Sequence, residues 1–295
     1  MKKGLEKKGI IYVLLVCLIY GLMPAITQLS FRAGLSVETM LAGRYALTLI
    51  LTWSYIRVKG IDCRIRGRQL ALLLSVGLVY FGVAVSINQS YLYLPGSIAS
   101  VLVFLYVSMT LILTFLSRRE PVSLVKILCV LMSLLGMFLI IRDPSSQMDL
   151  PLPGLIFVFL AAFFYSIYAF SLGTDLLREV DDTAIVGYIL IIPTIANLIR
   201  CLVSGQPLLP ADGIQLGFVL ILAVFCTFLG QLLYCKAVKS IGSANAAIIN
   251  TLEPVIAYGA GMVFLGELLP WNAWIGGGLI LASVILLNAS KSVRG

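Results

Sequence analysis

The chain is two copies of one apolar unit, and each copy carries five segments long enough to cross a bilayer. Gly9-Ile-Ile-Tyr-Val-Leu-Leu-Val-Cys-Leu-Ile-Tyr20 lines up with Gly154-Leu-Ile-Phe-Val-Phe-Leu-Ala-Ala-Phe-Phe-Tyr165, an offset of 145 residues. Thr39-Met-Leu-Ala-Gly-Arg44 matches Thr183-Ala-Ile-Val-Gly-Tyr188, and Gly96-Ser-Ile-Ala-Ser100 matches Gly242-Ser-Ala-Asn-Ala246, so the offset holds with small gaps. An odd number of spans per copy makes the second copy enter the membrane from the opposite side. That predicts an inverted repeat, the plan of solute carriers with a central, alternately exposed site.

Sixty percent of the residues are apolar, twelve percent are charged and the mean hydropathy is +1.06, which no water-soluble surface tolerates. Segments of the ~20 residues needed to cross ~30 Å of hydrocarbon run over about 9–29, 38–57, 69–92, 96–117 and 123–142. The second half adds about 153–172, 183–203, 213–236, 243–265 and 271–289. The expected fold is an all-α integral membrane protein, with ten transmembrane helices arranged as two inverted five-helix repeats around a central cavity. Residues 1–8 form a cytoplasmic N-terminal segment, 9–142 the first repeat, 143–152 a linker, 153–289 the second repeat and 290–295 a cytoplasmic tail. Lys2, Lys3, Lys7 and Lys8 ahead of an apolar stretch imitate a signal peptide. The stretch is too long for an h-region and no A-x-A-like site follows. It also has a repeat partner at Gly154, so it is expected to remain.

A net charge of +8 raises the question of nucleic acid, and the distribution answers it. With ten spans and an inner N-terminus, Lys2, Lys3, Lys7, Lys8, Arg57, Lys59, Arg64, Arg66, Arg68, Arg118, Arg119, Lys126, Arg178, Lys236, Lys239, Lys291 and Arg294 fall inside. Only Arg32, Arg142 and Arg200 fall outside. This is the positive-inside pattern, and it places both termini in the cytoplasm of a cell whose inner or plasma membrane holds the protein. Trp53, Trp271 and Trp274 sit near span ends as interfacial anchors. The six cysteines are scattered without a C-x-x-C pair and read as apolar filler, and the chain has no histidine. No metal site and no cofactor is expected.

An ionisable side chain inside hydrocarbon costs ~2.5–3.5 kcal/mol on insertion scales and is a functional candidate by default. Arg44 and Glu253 are the two that stand out. Glu253 lies near the midplane and Arg44 roughly 10 Å from the outer edge at ~1.5 Å per residue. They either pair with each other, meet a charged substrate group, or serve packing. Pro254 removes a backbone donor and frees a carbonyl near Asn250, and Asn250 and Glu253 share a helix face. Tyrosine recurs at comparable depth in both halves: Tyr20, Tyr80 and Tyr106, then Tyr165, Tyr168, Tyr188 and Tyr234. Their rings offer apolar area and their hydroxyls orient a ligand. With Gln231, these residues make a candidate substrate site of Tyr20, Arg44, Tyr80, Tyr106, Tyr165, Tyr168, Tyr188, Gln231, Asn250 and Glu253. Asn88 and Asn245 add polar groups near the membrane faces. Gly259-Ala-Gly261 and Gly276-Gly-Gly278 permit close helix contact. Pro24, Pro95 and Pro193 mark kinks or span ends, and Glu120 and Glu267 end spans 4 and 9. No G-x-x-x-x-G-K-[ST] occurs, so a gradient must supply the energy.

Gly242-Ser-Ala-Asn-Ala-Ala-Ile-Ile-Asn-Thr-Leu-Glu-Pro254, running to Phe264-Leu-Gly-Glu267, resembles the fourth-helix pattern of the drug/metabolite transporter superfamily, in its ten-helix EamA-type branch with two EamA repeats. Arg44 stands where that branch commonly has an arginine. The first repeat departs from the pattern, with Val107-Ser108 in place of the usual proline and Arg119-Glu120 in place of Gly-Glu. The resemblance covers about Gly9 to Asn288. It implies a cavity lined by helices 1 to 4 and 6 to 9, with helices 5 and 10 as outer scaffold. It also lowers the weight of Glu253 and Arg44 as determinants of any one substrate.

The reading is a secondary active transporter of a small organic solute, an amino acid or similar zwitterionic or aromatic metabolite, working by alternating access. Export follows from the resemblance alone. Import or exchange of another metabolite or cofactor stays as the alternative, and a membrane-embedded lipid or prenyl transferase using Asp181-Asp182 as a remote one. The expected partners are the substrate, the bilayer and a candidate coupling proton at Glu253. No nucleic acid is expected, and the chain is a monomer or a homodimer.

Overall fold

A computed structural model describes residues 2–117, 124–141, 150–172, 174–177, 179–241, 246, 249–250, 252–268 and 270–292. Among them lie ten helical segments and no strand; six hold stretches long and apolar enough to cross a membrane, and the apolar stretches of three others, 127–140, 253–265 and 271–286, are shorter. They are α1 (Lys2–Arg32), α2 (Val37–Lys59), α3 (Gly67–Ser90), α4 (Gly96–Val103 and Leu105–Leu116) and α5 (Leu124–Ile141) in the first half. The second half has α6 (Leu152–Leu172), α7 (Asp182–Ile189 and Ile191–Val203), α8 (213–241), α9 (Glu253–Ala260 with a π-helical continuation Gly261–Leu265) and α10 (Trp271–Ser292). Residues Ile221–Leu229 of α8 are also π-helical. The expected positions Arg118, Arg119, Glu120, Arg142, Arg178, Asn245 and Arg294, and residues 242–244 of the fourth-helix pattern, lie outside the described residues.

Local chemistry sets the ends of the spans. Ser36 caps α2 by accepting from the Thr39 N–H at 3.2 Å, Asp181 caps α7 through Thr183 N at 2.8 Å, and Asp212 caps α8 through Gln215 N at 2.8 Å. Each satisfies one of the orphan donors of a helix start. Gly60 ends α2 with φ of 63°, a left-handed geometry that favours glycine, and Arg57 and Lys59 in the last turn complement the helix dipole. α1 starts at Lys2, seven residues before its apolar stretch, because helix formation does not stop where hydrocarbon does.

The helix pairs repeat across a two-fold relation. α1 packs on α8 and α9, and its repeat partner α6 packs on α3 and α4; α2 meets α8 as α7 meets α3. Gly9 and Gly154 make the same contact from the two sides. A Cβ on Gly9 would lie 2.5 Å from Ile241 and 2.8 Å from Ser240, and one on Gly154 2.7 Å from Leu94 and 2.8 Å from Tyr93. α5 and α10 pair with each other on the axis itself. Gly136 and Gly276 face one another so closely that a Cβ on either would stand 2.4 Å from the other's carbonyl oxygen. Ser133 and Ser283 hydrogen-bond at 2.6 Å in the same seam, and Ser108 of α4 donates to Ser133 at 2.8 Å. Small residues and hydroxyls are what hold helices together where lipid removes the hydrophobic drive. The outer face of α5 carries Leu124, Ile127, Leu128, Leu131, Leu134, Leu135 and Phe138, all exposed, as a stripe that only hydrocarbon suits.

α4 and α9 are both interrupted. α4 breaks at Phe104, whose N–H donates to Val101 O at 3.1 Å, and Val107 N–H donates to Phe104 O at 3.0 Å, a local tightening to i→i+3 bonding. α4 therefore breaks without the proline that its sequence lacks. α9 restarts at Glu253 after Leu252 N–H donates to Ile249 O at 3.0 Å.

Candidate functional site

Six aromatic rings form a chain through the centre of the bundle. Tyr45 of α2 meets Tyr80 of α3 edge-on at 6.1 Å, and Tyr80 meets Tyr168 of α6 at 5.1 Å. Tyr168 adjoins Tyr165 at 5.7 Å, Tyr165 stacks on Tyr106 of α4 at 4.2 Å, and Tyr106 adjoins Phe104 at 6.1 Å. Tyr20 of α1 closes the cluster from the other side, seated on Gly230 of α8, where a Cβ would stand 2.5 Å from its ring. The repeat partners Tyr20 and Tyr165 thus reach one place from opposite halves. Tyr20, Tyr80, Tyr106, Tyr165 and Tyr168 each keep accessible surface although they lie deep among neighbouring helices.

The carboxylate comes from the break in α9. Pro254 falls in the first turn, where its missing N–H costs nothing, so the Glu-Pro pair starts a new helix more than it kinks an old one. Asn250 Nδ2 donates to Glu253 Oε2 at 3.0 Å, which leaves the second oxygen for another partner. Gly21 of α1 makes room for this turn: a Cβ there would lie 2.9 Å from the Glu253 carbonyl oxygen and 2.7 Å from Ile256. Cys17 Sγ, one turn earlier, donates to Ile249 O at 3.4 Å. The Glu253 carboxylate lies within electrostatic reach of the hydroxyls of Tyr20, Tyr106, Tyr165 and Tyr234.

Arg44 is placed differently. It is 5% exposed, its Nε donates to Thr227 Oγ1 at 2.8 Å, and one terminal nitrogen contacts Met23 Sδ at 3.1 Å. Its guanidinium carbon stands 5.7 Å from the Tyr45 ring. Thr227 in turn donates to Leu222 O, the i−5 carbonyl that only a π-helix presents, at 2.8 Å. Arg44 and the π-helical stretch of α8 therefore support one another, and among the described residues no carboxylate lies within ion-pair distance of Arg44.

Two further expected residues sit at the edge of the cluster or beyond it. Gln231 borders a crevice with room for a single water, shared with Thr52, Thr183, Phe228 and Cys235, and its Oε1 is buried without a protein partner. Tyr188 lies outside the cluster. Its hydroxyl donates to Cys63 O at 2.9 Å and its ring stands edge-on to Trp53 at 5.2 Å. Asn88 spends its amide on Ala84 O at 2.8 Å.

Glu267 carries a role that its place at a span end did not reveal. Its oxygens accept from Gly96 N at 2.9 Å, Ser97 N at 3.3 Å and Ser97 Oγ at 2.5 Å, so the end of α9 caps the start of α4. Gly261 leaves the space: a Cβ there would stand 2.2 Å from Glu267 Oε2. Gln28 of α1 completes the seal by donating to Tyr91 O and Leu94 O at 3.0 and 2.9 Å. Pro95-Gly96-Ser97 begins a helix with no side-chain cap of its own, and that deficit was the available signal.

Two five-helix halves, matching contacts in each and a cluster of polar aromatic rings drawn from both describe a polytopic membrane protein built as an internal repeat. Residues 7–142 and 152–289 each match the EamA-like transporter family, and the chain belongs to it. An uncharacterized inner membrane transporter, YicL, of Salmonella typhimurium (strain LT2) is 24% identical, covering 99% of this chain and 98% of that protein. An uncharacterized transporter of Archaeoglobus fulgidus is 26% identical over 76% of this chain and 79% of its own length. A crystal structure at 14% identity superposes with a TM-score of 0.67 over 97% of this chain and 99% of that one, a likeness of fold alone.

Proposed function

We propose that the chain is a secondary active transporter of a small organic solute, an amino acid or similar zwitterionic or aromatic metabolite, moved outward by alternating access between its halves. What supports this reading is the row of half-buried rings Tyr80, Tyr168, Tyr165 and Tyr106, with Tyr20 on α1 beside the turn that carries Asn250 and Glu253, residues drawn from both repeats. A ligand held by both halves is released when they rock apart, so binding and conformational change are linked by construction. The broken α4 and α9 face each other there and supply the bending points. Tyr234, outside the expected set, belongs to the same cleft through its proximity to Glu253. Arg44 acts here by positioning α2 on α8, and Tyr188 by fixing the loop at Cys63. Asp181 serves as a helix cap, which suits a carrier better than a lipid or prenyl transferase. Both termini face the cytoplasm in this reading, as the inner excess of lysine and arginine supports.

The test is counterflow in liposomes. Purified protein preloaded with a mixture of unlabelled amino acids should accumulate labelled aromatic amino acids, and Tyr165→Leu should reduce the rate at least tenfold with expression unchanged. Absence of counterflow for every amino acid would remove the substrate class. A wild-type rate in the Tyr165→Leu protein would remove the site.

A further inference from the structure

The proposed site presents its groups unevenly. The turn that carries Glu253 packs on Gly21, the residue after Tyr20, and Asn250 occupies one of the two Glu253 carboxylate oxygens, which leaves the other for a ligand. Arg44, 5% exposed, spends its Nε on Thr227 and one terminal nitrogen on Met23 Sδ beside the Tyr45 ring. Stacked and tilted tyrosine rings add electron-rich faces, which attract a cation and repel an anion.

Resting on the site proposed above, we infer that the ligand is selected through its amino group: the cleft takes an aromatic primary amine, and a carboxylate on that ligand adds nothing to its binding. The ammonium meets the open oxygen of Glu253. The ligand ring takes a place in the row of tyrosine faces between α3, α4 and α6. An acid of the same shape would bring its carboxylate towards Glu253, with the Arg44 guanidinium held by Thr227 and Met23.

Three ligands of one shape separate the possibilities: 4-hydroxyphenethylamine, tyrosine and 3-(4-hydroxyphenyl)propionate, titrated into the full chain in detergent by calorimetry. The amine is expected to bind at least as tightly as tyrosine and at least tenfold more tightly than the acid. Glu253→Gln should weaken the amine at least tenfold and narrow its advantage over the acid. The wild-type ranking stands independently of how well any variant folds. A preference for the acid, tyrosine ahead of the amine by tenfold, or no binding of any of the three overturns the inference. If the reversed order still weakens with Tyr165→Leu, the site survives and only the amine selection falls. An amine-first order untouched by both Tyr165→Leu and Glu253→Gln would overturn the site together with the inference.

Discussion

Removing the Glu267 carboxylate should unfasten the start of α4 from the end of α9. Three donors converge on it: Gly96 N, Ser97 N and Ser97 Oγ. Hydrogen bonds to a charged group contribute ~1.5–3 kcal/mol each where water is excluded. Gly96 N keeps a second acceptor in Gln28 Oε1 at 3.2 Å, so the loss falls mainly on Ser97. Allowing for water that enters in place of the carboxylate, Glu267→Ala should cost about 3 kcal/mol locally, on the scale of a lost helix cap plus one charge-assisted bond. That is a factor of about 100 in the opening equilibrium, at ~1.4 kcal/mol per tenfold. Native-state hydrogen exchange reads it directly, because the Ser97 amide exchanges when this contact opens. Exchange at Ser97 should quicken about 100-fold in Glu267→Ala and by an intermediate factor in Glu267→Gln, which keeps one acceptor oxygen. Gly261→Ala should mimic the loss, since its Cβ would occupy the space of Glu267 Oε2, 2.2 Å away. Protection at Ser97 within about threefold of the unmodified protein, in a folded Glu267→Ala variant, would refute the reasoning, because ~3 kcal/mol cannot hide in so small a change.

The α5 and α10 seam should be intolerant of a single methyl group: Gly136→Ala or Gly276→Ala places a Cβ 2.4 Å from the opposing carbonyl, with an expected cost of ~1–3 kcal/mol in detergent thermal unfolding. Thr227→Val should cost ~2 kcal/mol by the same assay, since it leaves the buried Arg44 Nε without its acceptor; an unchanged midpoint would show that Arg44 finds another partner. If Glu253 carries a coupling proton, Glu253→Gln in liposomes should abolish proton-driven accumulation while leaving exchange across the membrane intact, and intact proton-driven transport by the folded variant would rule that role out. Tyr188→Phe loses only the bond to Cys63 O, so transport should stay within about threefold and stability within about 1 kcal/mol.

Membrane insertion asks for length and hydrophobicity, which are one-dimensional properties, and duplication writes itself as an offset. For that reason the helical membrane fold, the duplication matched at 7–142 and 152–289, and the close packing at Gly276 were legible in the residues alone. Tyr20, Tyr80, Tyr106, Tyr165 and Tyr168 stand out in the residues as candidates, because distance to a span end can be counted along a helix. Which of them face one another was not. In lipid both faces of a helix are apolar, so periodicity does not say which side turns inward. Rotation of each helix is set by contacts such as Gly230 under Tyr20 and Gly21 under Glu253, made between residues roughly two hundred positions apart. The same limit hid the assignment of Arg44 to Thr227 instead of Glu253, and the capping of Gly96-Ser97 by Glu267. Each residue announced an unmet need, a buried charge or an uncapped helix start. Only the folded arrangement of the two halves decides which distant side chain meets it, because the partner comes from the opposite repeat and no local rule links their positions.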